Sequence, residues 1–417
     1  STKGTGEESI INSYVQNLEY NIYTALRSLI TTSKERIAII RGHGEWDLPY
    51  MWDFISGIND FYAVDTVSLN EKLNSVTDRV YDSIHPNDVK IKNKYKALII
   101  AKPLSVFSYK DLYILDQFVM HGGKILWLVD PLLCSMDSLQ ASPQTYAITN
   151  FTGVEDPLFR YGVRLNTNLV MDMQCAKVPI VTGVYGDNTP QFSYFPWNFF
   201  PVITPNSNSI ITDKINPVKM EFASSIDTIQ NDIVKTPLLV TSSNTRIMNT
   251  PAIISLEMLK QKQDPRLFNM SNLPVAMLLE GKFTSAFQHR LAPEMLENQV
   301  IAFKEKCDTT NSMIVVADGD IIRNDFSKGQ TLPLGYDRFT KEMYGNKEFL
   351  INCVNYLCGD KDMIPLRSRE VVMRKLDQAK VDREKMNWQI VNVALPVIIV
   401  ILIGFVIGFL RKKKYVK

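Results

Sequence analysis

Gly42-His43-Gly44-Glu45 sets an imidazole and a carboxylate two residues apart, directly after the apolar run 37–40. If that run is a strand, His43 and Glu45 stand at its carboxyl end, where open α/β sheets place ligands. Such a pair could transfer a proton or grip a ligand. No nucleophile lies nearby, and a tight turn made by the two glycines accounts for the same pattern. Asp318, Asp320 and Asp325 in DGDIIRND are hard oxygen donors of the kind that hold a divalent cation. They lack the spacing and terminal Glu of an EF-hand, so a polar turn whose carboxylates cap backbone groups is the preferred reading.

The rest of the chemical inventory is thin. Cys134, Cys175, Cys307, Cys353 and Cys358 form neither a CxxC nor a zinc pattern, and Cys353 and Cys358 lie five apart in an apparent helix, which reads as core packing. Histidine occurs only at 43, 85, 121 and 289. GxSxG, P-loop and dinucleotide motifs are missing, so this chain is not expected to hydrolyse ATP by the common route. The expectation is no cofactor, no structural metal and no disulfide framework.

The elements that must position these residues follow from the apolar pattern. Of 417 residues, 45% are hydrophobic and 22% charged, normal for a packed chain. The net charge of +2 offers no general attraction for nucleic acid. Short apolar runs at 36–40, 63–67, 95–101, 124–129, 237–241, 275–279 and 312–317 read as strands. A helix is expected over 108–121, stopped by Gly122-Gly123, and a closing helix over 347–357. Strand, helix, Gly-Gly, strand is the rhythm of βαβ units on a parallel sheet. This gives one α/β domain over 31–365, interrupted by an insertion at about 136–235 that is rich in Pro, Asn, Ser and Thr and is expected to be irregular. Its run FSYFPWNFFP, Phe192 to Pro201, reads as a loop buried by its own aromatics; the rival is a docking surface for a cell-envelope protein. Residues 1–30 contain a helical stripe at Ile11, Val15, Leu18, Ile22, Leu26 and Leu29, expected as an amphipathic helix or linker leading from a preceding region.

The mean hydropathy of −0.07 excludes a polytopic membrane protein but not a single span. Residues 390–410, IVNVALPVIIVILIGFVIGFL, carry no formal charge and would make roughly 30 Å of helix, the hydrocarbon thickness of a bilayer. A central charge would cost on the order of 2.5–3.5 kcal/mol, so the absence of one is informative. Trp388 would sit at the interface before the span, and Pro396 lies in its first turns, where a missing backbone donor is best tolerated. Arg411, Lys412, Lys413, Lys414 and Lys417 follow the span. Setting these five aside leaves 41 basic and 44 acidic residues in 1–389, a net −3. The basic tail, 411–417, belongs in the cytoplasm and the bulk of the chain outside, in the periplasm of a bacterial inner membrane. Residues 366–389 read as a charged stalk helix. The opening STKGTGEES has no apolar signal core, so an export signal is expected on an upstream part of a longer protein.

In this order along the chain, NLEYNIYTALRSL, RIAIIRGHGE, PQFSYFPWNFFPVI, LPVAMLLEGKFTSAF and VVADGDIIRND, followed by a charged stalk and one C-terminal span, resemble the GldG family of gliding-motility-associated ABC-transporter auxiliary subunits. The resemblance runs from about residue 8 to the end. It implies a glutamine-amidotransferase-like (flavodoxin-like) α/β fold outside the cytoplasm, similar to a domain of intraflagellar transport. Catalytic members of that fold use a Cys at a nucleophile elbow; none of the five Cys here follows a strand in a Gly-flanked turn, which implies a non-catalytic version. It also implies an upstream membrane segment and domain, and partnership with an ABC permease and a separate ATPase. The expected function is therefore a non-enzymatic, membrane-anchored periplasmic subunit of a gliding-motility transporter. Two alternatives stand beside it: an envelope enzyme acting on glycan or peptidoglycan through Glu45 with Asp318 and Asp320, and a solute-binding subunit.

Overall fold

Four apolar runs in the first third of the domain become strands, three of them because their apolar residues are buried and one, at 63–68, as a half-buried edge strand. The computed structural model describes residues 34–362 except 82–88, 185, 187–189, 206–208 and 262, together with residue 364 and scattered positions between 389 and 407. Strand β1 (Arg36–Arg41) is buried at 37–40 and is followed by helix α1 (Trp52–Asn59) and strand β2 (Ala63–Ser68). A hairpin of β3 (Thr77–Tyr81) and β4 (Val89–Asn93) leads to β5 (Ala97–Ala101), buried at all five positions. Helix α2 (Tyr109–Met120) returns the chain to β6 (Lys124–Leu128). Its first turn is capped by Ser108, whose hydroxyl accepts from Asp111 N at 3.1 Å.

The middle of the chain departs from the expected irregular insertion. Its main element is a long antiparallel hairpin, β7 (Cys175–Val184) and β8 (Pro190–Ile203). The run 192–201 lies inside β8 rather than in a loop. Its inner half packs, with Trp197, Phe199 and Phe200 buried in a cluster with Val178, Phe222 and Tyr344, while Phe192 and Tyr194 stay exposed. Small strand pairs in 144–172 join others in 245–255, so the chain beyond 235 also contributes to this side body.

The main sheet is completed by β9 (Val234–Val240), β10 (Pro274–Gly281) and β11 (Asn311–Val316), and the domain ends with helix α3 (Asn346–Cys358). The order across its seven strands is β9-β10-β11-β6-β5-β1-β2. Five of them, β11 through β2, run parallel; β10 is antiparallel to both neighbours. Period-two alternation splits the central strands between two cores. Ile37, Ile39, Ile99 and Leu126 face Phe54 and Ile58 of α1 and Phe349 and Leu350 of α3. Ala38, Ile40, Leu98, Ile100 and Trp127 face Ile114, Leu115 and Phe118 of α2. Each fully buried Ile or Phe contributes about 1.5–3 kcal/mol over exposure. Helices on both faces explain why these strands read as unbroken apolar runs.

By its internal contacts the chain divides into Ser1–Val372 and Met373–Lys417. The described positions of the second unit are helical, with Leu395, Pro396, Leu402, Ile403, Val406 and Ile407 exposed. Among the described residues no helix is long and apolar enough to cross a membrane. The expected helix in 1–30, the stalk at 366–389, most of the span at 390–410, Trp388 and the tail with Arg411, Lys412, Lys413 and Lys414 lie outside the described residues.

Candidate functional site

The parallel strands deliver charged residues from their carboxyl ends to one place. Lys102 follows β5, Asp130 follows β6, and Asp318-Gly319-Asp320 follows β11, all beside one another in the sheet order. Lys102 Nζ lies 3.0 Å from Asp130 Oδ2 and 2.5 Å from Asp320 Oδ2. Asp130 Oδ1 accepts from the backbone N–H of Gly319. Asp318 accepts from Glu221 N and from Asp320 N, each at 2.7 Å. Every one of these charged side chains is buried.

Electrostatics explains how so many charges tolerate burial. Burial opposes the Lys102 charge, yet Asp130 and Asp320 more than offset this and hold the ammonium above the ordinary lysine range. Burial pushes Asp320 up to about 7, with Lys102 opposing and Asp130 and Glu221 adding. Asp318 is driven well above the carboxylate range by burial, with the charges of Asp130 and Asp320 adding to it. The ammonium of Lys102 occupies the place a cation would take between the carboxylates. Among the described residues no group of three or more His, Cys, Asp or Glu is placed to hold a metal ion. Asp325, the third acid of that motif, makes no ion pair with this cluster and instead lines the cleft beside it with Lys219, Glu221 and Arg323.

Aromatic rings close the cluster from one side. Trp46 donates from Nε1 to Gly319 O at 3.2 Å, and its ring lies 5.1 Å from Lys102 Nζ and 4.7 Å from the Arg323 guanidinium. Arg323 also lies over Tyr50 at 5.5 Å and pairs with Asp137 at 2.9 Å. Next to it opens a cleft of about 960 Å³, lined in part by Tyr50, Lys219, Glu221, Asp320, Arg323 and Phe326.

His43 and Glu45 form a second, separate cluster. Glu45 Oε2 accepts from His43 N at 2.7 Å, and the ring nitrogens lie 3.4 Å from Glu45 and 3.3 Å from Asp111. The imidazole stacks on Phe107 with centroids 3.7 Å apart. Burial opposes protonation, but Glu45 and Asp111 together raise this His above its ordinary value. Gly44 has φ +79°, and a Cβ there would meet Leu104 Cβ at 3.0 Å, so the turn needs glycine. The structure therefore joins His43 with Glu45, joins Asp318 with Asp320, and engages the two pairs with different partners. Sequence reasoning passed over Lys102, Asp111, Phe107, Trp46 and Arg323. A signal for the first was present: Lys102-Pro103 and Asp130-Pro131 each put a charge and a proline directly after a buried strand.

Fold and site together define an α/β domain whose charged strand ends are closed upon one another, with an open cleft beside them. Residues 34–353 match the family described as an ABC-type uncharacterized transport system, the ABC-transporter auxiliary family, and the chain belongs to it. It is thus an auxiliary component of an ABC-type transport system. No curated protein matches the sequence. Among solved structures it is similar to one described as "mmIFT52 N-terminal domain", at 12% identity and a TM-score of 0.41, over 77% of this chain and 97% of that one.

Proposed function

We propose that this auxiliary component is the non-catalytic, membrane-anchored periplasmic subunit of a gliding-motility transporter of the GldG type. Its α/β domain is a glutamine-amidotransferase-like, flavodoxin-like fold without the nucleophile. The observation that carries the non-catalytic part is the state of the thiols. Burial pushes Cys134, Cys175 and Cys358 up to about 12 and Cys307 to about 11, and raises Cys353 well above the ordinary thiol range. A nucleophilic cysteine needs the opposite shift. The rival envelope enzyme required Glu45 to act with Asp318 and Asp320, and these belong to different clusters. The uncharged stretch 390–410 and its basic tail support the anchor, and membership of a family tied to an ABC-type transport system supports a permease and a separate ATPase as the partners.

Purification of the full chain from native membranes tests the proposal. A permease and an ATPase are expected to copurify with it and to be lost when the chain is cut after residue 365. Recovery of the full chain without either, or from the membrane-free fraction, overturns it.

A further inference from the structure

Three short strands of the side body turn an apolar face to solvent. The strand Gln144–Thr149 pairs with Leu132–Leu133 on one side and with Ala252–Ser255 on the other. Leu132, Ala147 and Ile254 point inward and are buried in the cluster that holds Trp197 and Phe199. On the other face Tyr146 lies directly across from Ile253, and Ile148 directly across from Leu133. An antiparallel sheet with one solvated face ordinarily alternates apolar inside with polar outside. Here large apolar side chains occupy both faces, and the fold of this chain uses only the inner one.

Neighbouring loops continue the patch. Asn150 donates from its backbone N to Pro131 O at 2.8 Å and from Nδ2 to Pro103 O at 3.0 Å, and Phe107 N donates to Thr152 O at 2.8 Å. These bonds hold the exposed Phe151 and Val106 beside the sheet, with Leu104 and Tyr109 next to them. The eight side chains are between 39% and 66% exposed. At roughly 200 Å² for a large side chain, they present on the order of 800 Å², more than the largest patch of a typical monomer, roughly 300–600 Å², and about one partner's share of a standard interface.

Charge decides what covers it. Residues 103–109, 131–136, 138–154 and 247–256 contain no Asp, Glu, Lys or Arg. A partner recognised by its charge finds no counter-charge on these segments. In a two-fold symmetric pair, residues near the axis meet their own copies, so any charge there would face its like; an uncharged face avoids that repulsion. Homodimer interfaces are also more apolar than those between separate proteins. We infer that this face joins two copies of the chain in an isologous dimer centred near Ile148. This goes beyond the subunit role proposed above and does not depend on it.

Cross-linking of the full chain in native membranes tests the inference. With a short bis-maleimide, Ile148→Cys is expected to give an adduct of two chains, at least tenfold more than Val181→Cys, an exposed apolar position on β7 outside the patch. Adding Tyr146→Asp or Ile253→Asp, each a charge at an exposed position, should cut that adduct at least tenfold at unchanged melting temperature. Equal yields at 148 and 181, no two-chain adduct at 148, or one that both added charges leave unchanged overturns the inference. So does an adduct of any other mass at 148, which would give the face to a different protein.

Discussion

Asp116 on α2 and Asp320 after β11 are both carboxylates shut away from water, and they are stabilised in different ways. Around Asp116, Oδ1 accepts from the Tyr161 hydroxyl at 2.8 Å and Ala286 N at 2.7 Å, and Oδ2 from Ser285 Oγ at 2.6 Å and Gln117 Nε2 at 2.9 Å. Four neutral donors use both oxygens. At Asp320, one oxygen rests on an ammonium and the other on nothing. Burial raises both carboxyls. The first arrangement is complete and fixes the loop at 285–286 to α2. The second has capacity left over, and it lines the cleft.

The sharpest way to break the contrast is Lys102→Met. It removes the cation between two buried carboxylates, and a loss of about 3–5 kcal/mol in urea unfolding is expected, the cost of an uncompensated buried charge. A loss below 1 kcal/mol would mean that Lys102 does not neutralise the cluster. The pH dependence comes next. The folded state holds a proton on Asp320 up to about pH 7, whereas the unfolded chain releases it near pH 4. More protons are then bound folded than unfolded, so stability should fall as pH rises from about 4 to 7, by on the order of 1 kcal/mol per unit. Asp318, also raised well above the carboxylate range by burial, adds to the decline. Asp320→Asn should flatten the lower part of that window; an unchanged profile would remove Asp320 as its cause.

Asp116→Ala should cost less, about 2 kcal/mol, because it strands neutral donors rather than a charge. Because burial raises Asp116 as well, its removal should also make the decline of stability with rising pH shallower; an unchanged slope would mean that Asp116 keeps no extra proton in the folded state. The smallest effect is chemical. In native buffer at pH 7.5 none of the five thiols should react rapidly with a disulfide reagent, and one fast equivalent would contradict the burial that raises them.

The same contrast marks what was legible in the sequence. The strands of the main sheet could be read because helices on both faces make β1, β5, β6 and β11 continuously apolar. The hairpin could not. Pro190, Pro196 and Pro201 stand within β8, and proline ordinarily argues against an interior strand. The strand tolerates them where its register with β7 slips between Cys175 and Lys177, opposite Pro201 and Pro196. At the site, Asp318 and Asp320 were visible as a motif, but Lys102 is separated from Asp320 by 218 positions. Nothing local announces that pairing beyond the proline that follows Lys102 and the one that follows Asp130.

Lys102 has φ +57°, and Gly319 presses against it so closely that a Cβ on the glycine would fall 2.5 Å from Lys102 Cβ. Gly319 N–H is meanwhile held by Asp130. Three loops far apart in the chain are therefore not exchangeable one at a time. A chimera that imports the segment after β11 from a relative bearing a side chain at 319 would collide with the resident lysine turn. Recombination across this sheet succeeds only when the segments around 102, 130 and 319 travel together, which makes them a single inherited unit despite their distance in the gene.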